Sequence, residues 1–219
     1  MTTYNLTVVN NSNESWDMYT FQKNPASSIG NPQLRSLAWF TKATAAQSTA
    51  TFTWDLTYNF MWSETGTLIP GVVFRASQSF PADPSRNGVS SRNSAGNQAF
   101  LTYNASRNFF EYSTSPAIEP IPGATAGTLY VNSDATVPNG IASVGIGMSN
   151  AGTFALPALT NILSEFTPEP TYFVAAGVSV QQGEVLEEEV SNAAQIEFAG
   201  VTSLTATFNP DHTWTVSKG

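Results

Sequence analysis

The chain has 219 residues, of which 41% are hydrophobic and only 11% charged, and it carries a formal net charge of −8. It contains no cysteine, which excludes disulfides, thiolate metal sites and cysteine nucleophiles. Its few basic residues form no cluster, with Arg75, Arg86, Arg92 and Arg107 widely separated, so neither nucleic acid nor an anionic lipid surface is an expected partner.

The opening MTTYNLTVVNN has no basic or apolar signal region, and no apolar run approaches the roughly 20 residues of a membrane-spanning helix. A soluble, cytoplasmic protein without a transmembrane segment is expected. From there the dominant hydrophobic period is two. The segments 4–9, 16–21, 36–41, 51–66, 72–79, 128–131, 143–148, 172–178, 194–198, 203–208 and 213–217 read as strands rich in Thr, Val and aromatic residues. Asn24-Pro25, Gly30-Asn31-Pro32, Ile69-Pro70-Gly71 and Pro138-Asn139-Gly140 punctuate them as turns, and Asn209-Pro210-Asp211-His212 marks a C-terminal hairpin.

Residues 81–97 are rich in Ser, Asn, Arg and Gly without periodicity, which predicts a long exposed loop. Residues 113–125, with Pro116, Pro120 and Pro122, read as an extended connector. A helical turn or two is expected at 156–165. Many short strands with regular turns predict an all-β fold, an antiparallel β-sandwich or jelly roll with little helix, as a single domain over 1–219.

The stretch TFTWDLTYNFMWSETG (51–66) places Phe52, Trp54, Leu56, Tyr58, Phe60 and Trp62 at every second position. In a strand these side chains share one face. One unbroken strand would be unusually long, so a break or bend near Asp55–Thr57 is expected. Exposed, the row would be a large apolar patch suited to stacking sugars or entering a bilayer. Buried, it forms the wall of a core, and burial is expected. A pore-forming role finds little support, because loop 81–97 is too polar to be an inserting hairpin.

Three groups invite a chemical reading. Gly145-Ile-Gly147-Met-Ser-Asn-Ala-Gly152 resembles a phosphate loop, but Asn150 stands where a dinucleotide fingerprint needs glycine, and Gly-Lys-Ser/Thr is absent. Gly147-Met-Ser149-Asn-Ala151 nearly matches a nucleophile elbow, yet its base would have to be His212, the single histidine, in a predicted turn. Glu184, Glu187, Glu188, Glu189 and Glu197, with Glu64 elsewhere, would support glycoside hydrolysis only as a pair facing across a cleft. Glu187–Glu189 point to both faces of any strand and read as a solvated edge. No catalytic, cofactor-binding or metal-ligating residue is assigned, and metal binding by 184–189 is left open.

SLAWFTKA (36–43), FMWSETGTLIPGVVF (60–74), ASVGIGMSNAGTFAL (142–156) and NPDHTWTVS (209–217) resemble the RhiA-type rhizosphere-expressed proteins of plant-associated bacteria. The resemblance spans nearly the whole chain. It implies an abundant, soluble protein regulated by cell density (quorum sensing) and linked to a plant host, with no assigned reaction, cofactor or catalytic residue. Together these readings predict a non-enzymatic protein acting by binding or self-association. A carbohydrate-binding module with its glycan site in loops is the alternative, and a paired-carboxylate hydrolase comes third.

Overall fold

The alternating runs become seventeen strands in a computed structural model that describes residues 2–23, 33–115 and 118–219. In chain order they are β1 (Thr3–Asn10), β2 (Trp16–Gln22), β3 (Arg35–Ser36), β4 (Phe40–Thr44), β5 (Thr49–Asp55), β6 (Tyr58–Ser63), β7 (Gln78–Ala82), β8 (Gln98–Asn104) and β9 (Phe109–Tyr112). They continue with β10 (Leu129–Ser133), β11 (Ser143–Met148), β12 (Ala151–Pro157), β13 (Ile162–Phe166), β14 (Tyr172–Gly177), β15 (Ala194–Ile196), β16 (Ser203–Phe208) and β17 (Trp214–Lys218). The described residues contain no helix. The turns expected at Asn24-Pro25 and Gly30-Asn31-Pro32, and Pro116 of the expected connector, lie outside the described residues.

The strands form four sheets: a first ordered β17-β16-β1-β5, a second β15-β14-β2-β4, a third β3-β12-β11-β6-β7 and a fourth β13-β10-β8-β9. Two pairings, β1 with β16 and β8 with β10, are parallel; the other pairings among the described strands are antiparallel.

The sheets pack as two sandwiches. Leu6, Val8, Phe52, Trp54, Leu204, Ala206 and Phe208 of the first sheet meet Met18, Tyr172, Val174 and Ile196 of the second. Phe60, Trp62, Phe80, Val144, Ile146, Phe154 and Leu156 of the third meet Ala99, Leu101, Phe110, Tyr112, Leu129, Val131 and Phe166 of the fourth. The second and third sheets are also covered on their far faces. Tyr19, Phe21, Phe173 and Ala175 pack with Ala38 and Leu186, while Met61 and Ala155 pack with Leu37, Leu68, Phe74 and Val185. Burial on both faces replaces the alternating pattern by continuous apolar runs.

Within the aromatic row, β5 ends at Asp55 and β6 begins at Tyr58. Phe52 and Trp54 then enter the first core, Phe60 and Trp62 the second, and Tyr58 packs against both. The row is core wall, divided between two cores. Leu56, at the break, is 41% exposed. In β11, Gly145 and Gly147 lie in the ladder between β6 and β12. A Cβ on Gly145 would sit 2.3 Å from the Phe154 carbonyl oxygen, and one on Gly147 would sit 2.4 Å from that of Ala151. These glycines serve close strand packing and do not form a phosphate loop.

Several expectations need correction. The helical turn at 156–165 is instead the end of β12, a turn and β13. Leu156, Leu159 and Ile162 mimic a helical period, but Asn161 takes φ 57° and reverses the chain into a strand. In 72–79, Val73 makes an isolated bridge to Glu184, and the strand proper, β7, starts at Gln78 and runs through Pro81. Proline is tolerated there because β7 is a sheet edge. The run 36–41 is not one strand: β3 joins the third sheet and β4 the second. Residues 83–97 form a loop tied inward, with Ser90 and Asn97 buried and Asn97 bonded to Asn87 and to the Thr125 carbonyl. The described part of 113–125 contains no strand and is largely exposed.

Phe60 is fully buried in the second core. Phe60→Ala is therefore expected to cost about 3–5 kcal/mol in denaturant unfolding. Unchanged stability would contradict the assignment of this face to a core.

Candidate functional site

Ser149 sits in the tight β11–β12 turn with φ 51°, followed by Asn150 at φ 61°. Its hydroxyl receives the Asp55 backbone N–H at 2.8 Å and lies 3.0 Å from the Asp55 carbonyl oxygen and 3.1 Å from Asp55 Oδ1. Its backbone N–H donates to the Thr57 carbonyl at 2.9 Å. Asp55 Oδ1 also accepts the Thr57 N–H at 2.9 Å and the Thr57 hydroxyl. The near-elbow serine thus clamps the break between β5 and β6, where the aromatic row passes between cores. The Thr57 hydroxyl and N–H, followed by the Ser149 hydroxyl, hold the Asp55 carboxyl below its ordinary range.

His212, at φ 64° in the 209–213 turn, stacks on Phe208 with ring centroids 5.4 Å apart. Its edge also meets Trp16 at 5.2 Å. Ser149 and His212 therefore have separate sets of partners, and the structure does not pair them as nucleophile and base. Beside Trp16 lies a cleft of about 510 Å³ lined by Asp17, Thr44, Val178 and Ser179. The indole N–H donates to Ser12 Oγ at 3.1 Å, and Asp17 Oδ2 accepts the Val180 N–H at 3.1 Å. An indole wall beside hydroxyls and a carboxylate suits a sugar ring, whose two faces are apolar and whose edge is polar.

The carboxylates divide. Glu184, Glu187 and Glu189 line a second cleft, of about 430 Å³, with Tyr19 and Val180. Burial first, and the Glu184 charge second, push the Tyr19 phenol up to about 12. Glu184 accepts the Gln181 N–H at 2.9 Å, while Glu188 reaches out to Arg35 at 3.5 Å and is 84% exposed. Glu64 and Glu197 are exposed and do not line either of these clefts. Val185 and Leu186 anchor this acidic run, one in each of the two outer clusters. Among the described residues no group of three or more His, Asp or Glu is placed to hold a metal. No helix among them is long and apolar enough to cross a membrane.

Comparison with known proteins bears on these features. A sequence profile described as RhiA matches residues 1–219. The chain belongs to the RhiA family. It is 37% identical to Protein RhiA of Rhizobium leguminosarum bv. viciae, over 99% of this chain and 87% of that protein. No solved structure matches it.

The RhiA-like strings fall on structural joints: SLAWFTKA crosses between sheets, and the Ser149 turn closes the clamp on Asp55. Sequence reasoning places a break at Asp55–Thr57 but misses the Asp55–Ser149 clamp there, and it misses the Trp16 cleft. Asp55-Leu-Thr57 carries the local signal of an Asx turn, whereas nothing near Trp16 announces a cleft. Ser149→Ala is expected to lose about 1–2 kcal/mol of stability and a fluorophosphonate probe to leave Ser149 unlabelled. Asp55 is stabilised as the carboxylate. Its contribution is in place above about pH 4 and fades as acid carries the solution through its still lower native value. Urea midpoints of wild type and Asp55→Asn should therefore converge as the pH falls.

Proposed function

We propose that this RhiA-family protein is an abundant, non-enzymatic cytoplasmic protein that acts by self-association in the bacterium's life with a plant host. The carrying observation is the open edge of the first sheet at β17, where Thr215, Val216, Ser217 and Lys218 are all exposed. Natural sheets usually blunt such edges with charge, proline or a covering segment, and Lys218 is the one charged residue of this strand. The non-enzymatic reading draws support from the two residues that most resemble a hydrolase pair. The Ser149 hydroxyl is committed to Asp55, and the His212 ring to Phe208 and Trp16.

The Trp16 cleft favours a second reading, a glycan site at the ends of β2, β4 and β14 and the turns beside them. Its polar groups come from the segments around Asp17, Thr44 and Ser179, and the buried aromatic row takes no part.

The net charge of −8 opposes association but is screened over about 8 Å at physiological salt. Light scattering from micromolar to millimolar protein is expected to show association that strengthens with salt and on acidification toward the sequence pI of about 4.5. A strict monomer throughout would overturn self-association. A sugar that raises the melting temperature, with the effect lost in Trp16→Ala, would then support the glycan reading.

A further inference from the structure

The β17 edge has a geometry that makes it complementary to itself. Register pairs Thr205 with Ser217 and Thr207 with Thr215. The Asn209 N–H donates to the Thr213 carbonyl at 2.8 Å, and the Gly219 N–H to the Ser203 carbonyl at 3.2 Å. Hydrogen-bonded pairs alternate along an antiparallel ladder, so Thr213, Thr215, Ser217 and Gly219 turn their backbone groups toward β16. Trp214, Val216 and Lys218 turn theirs outward, where no described strand pairs with β17 beyond β16.

We propose that β17 pairs antiparallel with β17 of a second copy, about a two-fold axis at Val216, joining two first sheets into one continuous eight-stranded sheet. This rests on the self-association reading and names its surface. In this register Val216 faces Val216 of the second copy and Trp214 faces Lys218, so each outward N–H and C=O finds a partner. No like charges stand opposite one another, and a Lys ammonium lies beside an indole. The hairpin 203–218 holds one acid, Asp211, and one base, Lys218. The −8 of the chain therefore lies outside it, and the contact brings together the locally neutral part of an acidic protein.

Five of the seven other edges are less suited. Proline interrupts β7, β3 has two residues, and the Lys42 ammonium of β4 bonds to the Thr51 carbonyl of β5, tying those two edges together. β13 exposes Ile162 and Leu163 but offers Leu163 and Glu165 as its outward pair, a shorter ladder with a buried-charge cost. One strand pair is a small interface, so the dimer is weak and concentration-dependent, with isologous two-fold symmetry.

The register gives the test. Val216→Pro removes an outward N–H and leaves the β16 ladder intact, so the fold should keep its melting temperature while dimerisation in sedimentation velocity weakens at least about tenfold. Val216 pairs with itself at about 5.5 Å between Cα atoms, a separation suited to a disulfide. Because the chain lacks cysteine, Val216→Cys under mild oxidation should give a covalent dimer, and Thr215→Cys, which faces Ser217 on the other side of the sheet, should give much less. Should wild type associate while Val216→Pro associates equally well, or should the two cysteine variants cross-link alike, the β17 contact is wrong although self-association stands. A wild type that stays monomeric at all concentrations overturns both.

Discussion

The fold depends on one short crossing, Leu34 to Trp39, which gives a side chain to each of the four apolar clusters. Leu34 enters the core between the third and fourth sheets, and Leu37 the outer face of the third. Ala38 enters the outer face of the second sheet, and Trp39 the core between the first and second. Trp39 and Leu37 are fully buried. The Trp39 indole N–H donates at 2.8 Å to the carbonyl of Met148, at the end of β11 in the other sandwich. Breaking that bond would remove a buried hydrogen bond that links the two sandwiches and leave the indole N–H or its replacement without that partner.

A second crossing reinforces the first. Ser149, next to Met148, clamps Asp55 and Thr57, so one turn receives the Trp39 bond and fixes the point where the aromatic row changes core. Val185 and Leu186 close both outer faces, held by Leu186 N–H to the Ser36 carbonyl and Ala38 N–H to the Glu184 carbonyl. The serine that looks catalytic in the sequence is thus occupied in joining sheets, and the glycines in close strand packing within the third sheet. What they leave for function is the surface, namely clefts at strand ends and the open edge of β17.

The parts legible in the sequence were those with one wet face. β1 and β16 alternate as read, and the hairpin around Asn209–His212 falls where its turn residues place it. β12 was missed because Ala151–Pro157 is buried or nearly so throughout and shows no alternation. β8 was hidden by its polar lead-in, whose Asn97 and Gln98 are buried because hydrogen bonds satisfy them. The division of SLAWF between two sheets has no local signal, since its residues are apolar whichever sheet they join. The Trp16 cleft was equally invisible, being assembled from segments distant in sequence.

If the Leu34–Trp39 crossing unites the two sandwiches, they should unfold as one. Scanning calorimetry of wild type and Trp39→Phe tests this most directly. The account predicts a single transition in both, with calorimetric and van't Hoff enthalpies equal, and the whole transition moved to lower temperature by the substitution. Two resolved transitions in the wild type, or a shift of only one part of the heat absorption in Trp39→Phe, would contradict it.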